Sequence, residues 1–128
     1  MRHPARLISL AVLTAATTAT ALPALANDAD VIRRGNCSGS TNWKLKASPE
    51  NGRIEVEGEI DSNRVGQTWA WKLKHNGSLS AKGRATTQAP SGSFERTRTV
   101  VNAPGGDALV FRAENVRSGE VCRARLTF

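Results

Sequence analysis

Residue types that build many catalytic and ligand-stacking sites are scarce in this 128-residue chain: tyrosine is absent, and only two cysteines and two histidines occur. One histidine lies in the N-terminal leader described below, which leaves His75, in the turn-forming segment His-Asn-Gly. A Ser or Cys nucleophile needs a base within hydrogen-bond reach, and we interpret His75 as an exposed turn residue. Neither a G-x-S-x-G nor an H-E-x-x-H segment is present, and no zinc-ligand spacing occurs. We therefore expect no enzymatic activity, no metal site and no cofactor.

Long apolar runs are also missing after residue 26, where no segment approaches the ~20 residues of a membrane-spanning helix. Before that point, Arg2 and Arg6 precede an apolar stretch at residues 7–21, and Ala-Leu-Ala at residues 24–26 forms an A-x-A cleavage site. This order of a basic, an apolar and a small-residue segment is typical of a secretory signal peptide. We expect residues 1–26 to be a signal peptide, and the protein to be secreted without a membrane span.

The remaining residues, 27–128, have the length of one domain and an excess of positive charge. They contain 16 of the 18 basic residues and all 11 acidic residues, a net charge of +5. Their two cysteines, Cys37 and Cys122, are an even pair in an oxidising compartment, which predicts a disulfide. In the chain-entropy model, a bridge across so long a loop stabilises the fold by ~4–5 kcal/mol.

No window after the leader has the apolar period of an amphipathic helix, and turn-forming clusters recur every eight to sixteen residues instead. Seven strand candidates lie between these clusters, near residues 41–47, 53–60, 67–74, 78–86, 94–101, 108–115 and 120–127. Seven short strands in about 100 residues predict an all-β fold, namely a seven-stranded immunoglobulin/fibronectin III-like sandwich of three plus four strands at residues 37–128. A small barrel is the competing fold. Residues 27–36 are predicted to be a flexible N-terminal segment.

The segment GRIEVEGEID places three glutamates at every second position, so a strand would point all three to one side. Neighbouring glutamates would stand ~6–7 Å apart along such a strand, too far for two to share one ion comfortably. A four-residue loop at residues 49–52 would pair Lys44 with Glu57 across the hairpin. The same register would lay Trp43 over Gly58, where the missing side chain leaves room for the indole.

Two other hairpins are predicted from their turn residues. A three-residue loop is expected at residues 75–77, because a two-residue Asn-Gly turn would set Lys74 opposite Leu79 and mix the two faces. A four-residue loop between the last two strands pairs Phe111 with Ala124. These registers favour one sheet of the first, second and fifth strands, and another of the fourth, third, sixth and seventh.

The fifth strand is ambiguous, since Arg96 and Arg98 share the parity of the apolar residues Phe94 and Val100. A bulge, or an inward set that begins at Thr97, would turn both arginines outward. The glutamates would then lie between two basic rows.

The outward positions of the four-stranded sheet are predominantly basic. The candidate anion-binding face consists of Lys72, Lys74, Lys82, Arg84, Arg112, Arg123 and Arg125. With Glu114 included, this face sums to +6, and a surface of a single sign steers anionic partners. We expect a monomer that contacts anionic cell-envelope polymers or an acidic protein through this face. A solvated surface that only keeps the protein soluble is the alternative. Specific nucleic-acid recognition is not expected, because no outward aromatic is available for base stacking.

Carbohydrate or small-ligand binding through tryptophans is the alternative function. The candidates are Trp69 and Trp71, which share the parity of the aliphatic residues in their strand. That parity favours positions in the core, and the absence of tyrosine weakens a sugar-stacking surface further.

The run CSGSTNWKLKASPENGRIEVEGEIDSNRVGQTWAWKLKHNG, followed later by APSGSFERTR and GEVC, resembles an uncharacterised family of small secreted actinobacterial proteins with an Ig-like β-domain. The resemblance extends from Cys37 to about Cys122, with the signatures Trp-Lys-Leu-Lys and Gly-Gln-Thr-Trp and both cysteines. It implies secretion and a disulfide-linked β-domain. It implies no activity and no site residues.

Overall fold

The computed structural model describes residues 29–128, and these form an all-β structure. The eight strands are β1 (Val31–Asn36), β2 (Asn42–Glu50), β3 (Arg53–Asp61), β4 (Thr68–His75), β5 (Ser78–Thr86), β6 (Ser93–Val101), β7 (Ala108–Asn115) and β8 (Val121–Thr127). The predicted signal peptide at residues 1–26 lies outside this described part. Within it, no helix is long and apolar enough to cross a membrane.

The strands form two antiparallel sheets of four strands each. Sheet A has the order β1-β2-β3-β6, and sheet B has the order β5-β4-β7-β8. The seven predicted strands are all present, and each lies in the sheet to which it was assigned. The predicted total of seven strands in a three-plus-four arrangement is wrong, because β1 adds a fourth strand to sheet A.

β1 lies within residues 27–36, where the sequence predicted a flexible segment, and it pairs along its whole length with β2. The segment VIRRGN has too little apolar alternation to identify a strand by pattern alone. In the pairing, Gly35 lies opposite Trp43, and a Cβ at Gly35 would stand 2.5 Å from the indole ring. Gly35 therefore makes the room for Trp43, and the predicted position of this indole over Gly58 is wrong.

Asn51 and Gly52 form the turn between β2 and β3, and both have positive φ angles, 48° and 76°. A two-residue Asn-Gly turn of this kind matches the twist of the flanking strands, so the predicted loop at residues 49–52 is wrong. Lys44 lies opposite Glu59 as a result. The register differs from the prediction by two residues, which leaves every side chain on its predicted face.

Asn76 and Gly77 form the same kind of turn between β4 and β5, with φ angles of 48° and 83°. The predicted three-residue loop is therefore wrong, and Lys74 does lie opposite Leu79. A bulge between Leu73 and Lys74 restores the two faces along the rest of the hairpin. The irregularity is confined to the turn end, where Leu79 is left half exposed.

The core lies between the sheets and contains Trp69, Trp71 and Phe111, none of them more than 2% exposed. Sheet A packs against one of these rings through backbone atoms alone. A Cβ at Gly58 would stand 2.6 Å from the ring of Phe111. Close packing of this kind leaves no space for an added methyl group. Gly58, the second glycine of GRIEVEGEID, is thus a core position, and the aromatic ring of Phe111 from sheet B packs against its backbone.

A disulfide joins Cys37, just after β1, to Cys122 in β8, as predicted. The predicted register of β7 and β8 is also confirmed, with Phe111 opposite Ala124. The bridge fastens the side of the sandwich where β1 and β2 approach β8, whereas β5 and β6 meet at the other side.

Candidate anion-binding face

The outer face of sheet B carries the seven basic residues predicted to share it. We call this surface the basic face; it consists of Lys72, Lys74, Lys82, Arg84, Arg112, Arg123 and Arg125. The strands place them there because each alternates with apolar residues that enter the core, as in the buried-exposed pattern of β8. Arg112 is half-buried and the other six are exposed.

Four of these cations form a straight line across the four strands. In the ladder Lys82 lies opposite Lys72, Lys72 opposite Arg112, and Arg112 opposite Arg123. We call this line the cation row. Adjacent strands are ~4.8 Å apart, so the row is about 14 Å long. Like charges directly opposite each other destabilise a sheet, which makes this arrangement costly unless something negative lies on it.

A shallow depression lies beside the cation row, above Val110. Val110 is paired with Lys74 on one side and with Arg125 on the other. Its short side chain leaves a recess of about 370 Å³, lined otherwise by cations: Lys72, Lys74, Arg112, Arg123 and Arg125. An anion placed in this recess would be surrounded by basic groups from three strands.

Glu114 is the acidic residue among the outward positions of sheet B. Its Oε2 lies 3.3 Å from Nη1 of Arg112, and its neighbours across the ladder are Ala70 and Val121. One carboxylate beside one end of Arg112 does not neutralise the face, which keeps its large positive excess.

The outer face of sheet A presents acids and lysines together. Lys44 Nζ lies 3.4 Å from Oε1 of Glu57 and 3.7 Å from Oε2 of Glu59. The predicted ion pair of Lys44 with Glu57 thus forms, although Glu59 is the residue directly opposite. Lys46 pairs with Asp30 at 3.8 Å, a residue just before β1 that the predicted hairpin did not include.

Glu95 of β6 joins Glu57 and Glu59 to form a cluster of three carboxylates. Glu95 lies opposite Glu59, and one oxygen of each of the three lies within 4.8 Å of the others. Burial, and then the negative charge of Glu57, raise the pKa of Glu95 above its usual range. Calcium takes six to eight oxygens, whereas this cluster offers three and already has the ammonium group of Lys44 against it. The every-second-residue spacing of the glutamates in β3 could not predict that Glu95 joins them, because Glu95 lies in another strand.

Arg96 and Arg98 of β6 face the inside of the sandwich. Arg96 lies opposite Gly58 in the ladder, and the two arginines alternate with outward residues, as buried Phe94 and Val100 do. The glutamates therefore do not lie between two basic rows, and the alternative in which Arg96 and Arg98 turn outward is wrong. Both side chains reach solvent because β6 is an edge strand.

Arg98 covers a core tryptophan at this edge. Its guanidinium carbon lies 5.1 Å from the ring centroid of Trp71, a distance at which a cation is attracted to the ring face. Gly83 of β5 borders the same indole, since a Cβ there would stand 3.2 Å from it. Trp69 is fully buried as well, so neither tryptophan proposed for ligand stacking presents a ring face to solvent.

His75 is paired, not exposed as the turn motif suggested. Its Nε2 lies 2.6 Å from Oδ1 of Asp107, and its side chain is only 13% exposed. The same Oδ1 accepts a hydrogen bond from the backbone N–H of Ala103 at 3.0 Å. The hydrogen bond from His75, followed by the one from Ala103, lowers the pKa of the buried Asp107. Among the described residues, the side-chain hydrogen-bond partners of His75 are Asp107 and Asn76, neither of which is a Ser or Cys nucleophile. The pairing with Asp107 anchors the loop before β7.

Comparisons of the chain with protein-family models, with curated proteins and with solved structures find no match.

Proposed function

We propose that this protein is an exported, non-enzymatic binding module with an immunoglobulin/fibronectin III-like sandwich, and that its basic face holds an anionic polymer of the cell envelope. The observation that carries the proposal is the cation row, in which Lys72 has a cation directly opposite on both sides. A polyanion laid across the strands would neutralise four charges that otherwise repel one another.

The chemistry of the basic face favours a polymer over a folded acidic protein. Protein interfaces depend on aromatic and other large anchors that fill pockets. Apart from Leu79 at the turn end beside Lys74, the apolar residues within the charged area of the outer face of sheet B are small, namely Ala70, Val110 and Val121. Lysines and arginines without such anchors are typical of contacts to a charged backbone, which depend strongly on salt.

The tryptophan-based alternative finds less support. Stacking on a sugar needs an open ring face, and Trp69 and Trp71 are 0% and 2% exposed. Trp43 is half-buried and packs against the core. A carbohydrate function through Trp69 or Trp71 would therefore need the core to open, whereas the basic face is accessible as it stands.

The test is a binding titration with purified poly(glycerol phosphate) at low and high salt. The double variant Lys72→Glu, Arg123→Glu removes two charges from the cation row. Its matched control, Arg53→Glu, Arg64→Glu, changes the net charge equally at two exposed positions that are not part of the basic face. We expect the first variant to lose most of its affinity and the control to keep most of it.

Two outcomes would contradict the proposal: absence of polymer binding at low salt, or equal losses in both double variants. Equal losses would mean that overall charge, and not the cation row, attracts the polymer. Polyglutamate in the same titration represents an acidic protein. Tighter binding of polyglutamate than of poly(glycerol phosphate) would favour that partner instead.

A further inference from the structure

The basic face continues beyond sheet B. β5 is the edge strand of sheet B and β6 is the edge strand of sheet A, and these two edges meet at one side of the sandwich. Arg84 of β5 and Arg96 of β6 line a common depression of about 550 Å³ at that side. The sequence gives no sign that these two arginines lie together, because they belong to different sheets.

Arg84 belongs to both surfaces. It lies two residues after Lys82 on the outer face of β5, about 6.7 Å along the strand. The cation row ends at Lys82 on the edge strand β5, so Arg84 continues it along that edge and Arg96 lies across from it on β6. The connected series of cations is Arg123, Arg112, Lys72, Lys82, Arg84 and Arg96.

The depression at the edge is mostly polar. Thr86, Gln88 and Ser93 line it with hydroxyl and amide groups, which already hydrogen-bond to Thr68, to the carbonyl of Thr86 and to Ser91, and the buried core residue Phe94 also lines it. The two guanidinium groups are therefore the groups that would bind the oxygens of a phosphate. Glu95 lies at the rim and belongs to the carboxylate cluster of sheet A, so an anionic chain would be repelled beyond this point.

We propose that the partner is a flexible linear polymer of phosphodiesters that crosses sheet B along the cation row and bends around the β5 edge to end at Arg96. This inference rests on the proposed function and specifies its ligand. A bilayer is flat on the scale of this domain, and a nucleic-acid duplex is stiff over ~50 nm. Neither can follow a path that leaves one sheet and enters the depression beside the other, about 10 Å away.

A phosphodiester chain is favoured over a polycarboxylate by the spacing of its charges. Four of the six cations of the path are arginines, and a guanidinium group binds phosphate or carboxylate oxygens through two parallel N–H donors. Phosphodiesters place one charge in each backbone unit, so a single chain can contact successive strands without side branches.

The experiment compares one variant on two probes. Arg96→Gln removes the charge at the end of the path without adding an acid beside Glu95. Arg53→Gln is the matched control, an exposed arginine of β3 that lies beside the opposite end of β6 from the depression. The probes are long poly(glycerol phosphate) and vesicles of phosphatidylglycerol, each titrated at several salt concentrations after circular dichroism has verified the fold of both variants.

We expect Arg96→Gln to weaken binding of the long polymer roughly fivefold at low salt, and the slope of log K against log salt to become shallower by about 0.7. Binding to vesicles should not change, because a flat surface that contacts sheet B does not reach Arg96. A polymer of three phosphates should also be insensitive to Arg96→Gln, since it is too short to cover both the cation row and the edge.

The outcomes separate this inference from the proposed function. Suppose that Lys72→Glu, Arg123→Glu abolishes polymer binding while Arg96→Gln behaves like Arg53→Gln. The polymer then stays on sheet B, so the inference is wrong but the proposed function stands.

If Arg96→Gln weakens vesicle and polymer binding equally, the bent path is wrong. If polyglutamate of equal length binds as tightly and is as sensitive to Arg96→Gln, the phosphate assignment is wrong. If no variant changes polymer binding, the proposed function itself fails.

Discussion

Lys72 of β4 lies directly opposite Arg112 of β7, so two cations occupy neighbouring positions on one face of a sheet. Lys82 continues this pairing on the other side of Lys72. A sheet that only had to be stable would place an acid or a neutral residue at position 72. The arrangement therefore opposes stability at the position where the proposed polymer would bind, as residues in functional sites commonly do.

Replacing Lys72 by threonine should stabilise the free protein. Removal of the like-charge pairs is worth ~0.2–1 kcal/mol in 10 mM salt, and the gain should disappear in 1 M salt, where charges are screened within about 3 Å. Urea unfolding at both salt concentrations measures this. Lys44→Thr is the control, because Lys44 pairs with Glu57 and Glu59 and its loss should destabilise. A destabilising effect of Lys72→Thr at low salt would contradict the prediction.

Gly58→Ala should destabilise the sandwich by about 1–3 kcal/mol. The new methyl group would stand 2.6 Å from the Phe111 ring, and that ring is buried between the sheets. Gly106→Ala is the matched control, since a Cβ there meets Thr127 at an ordinary 3.5 Å; its effect should stay within about 1 kcal/mol. Denaturant unfolding of both variants gives the comparison, and equal effects would show that Phe111 does not rest on Gly58.

Removing the disulfide should lower the free energy of unfolding by about 2–5 kcal/mol. Cys37 and Cys122 are 85 residues apart in the chain, so their bridge restricts most of the unfolded polypeptide. The measurement is guanidinium unfolding of the protein and of the double variant Cys37→Ala, Cys122→Ala. Reductant should destabilise the protein and leave the double variant unchanged. A double variant as stable as the original protein would contradict the prediction.

Asp107 should contribute stability that is lost in acid. Its pKa is lowered by the hydrogen bonds from His75 and Ala103, whereas an unfolded Asp titrates at about 3.9. The contribution is therefore complete well above pH 4 and disappears as the pH falls through the lower pKa of the folded state. Asp107→Asn should be less stable than the original protein at pH 7, and the difference should shrink below about pH 4. Thermal unfolding from pH 7 to pH 2.5 measures it. A difference that is constant over this range would contradict the prediction.

Much of the sheet architecture could be predicted from alternation alone. In β8 every second residue is buried, and the same pattern assigned Arg123 and Arg125 to the outer face. The composition of the basic face follows from this rule, because a side chain's face depends only on whether its position is odd or even within a strand. The disulfide was predictable for a different reason, since the sequence contains only two cysteines and therefore one possible pair.

The register of the first predicted hairpin could not be obtained in this way. A shift of two residues keeps all side chains on their faces, so the pairing of Lys44 with Glu57 and with Glu59 looks equally good in the sequence. The choice depends on the Asn51-Gly52 turn and on packing at a distance, where Phe111 fills the space above Gly58.

The sequence by itself determined the strand periodicity, the single disulfide and the accumulation of positive charge on one sheet, because each depends on local alternation or on simple counting. Only the tertiary structure decided that Trp43 rests on Gly35, that Glu95 joins the glutamates of β3, and that Arg96 lies beside Arg84 at the edge. Each relationship connects two different strands. The pairing of strands within sheet A sets the first two and the meeting of the β5 and β6 edges sets the third, and no local pattern in a single strand contains that information.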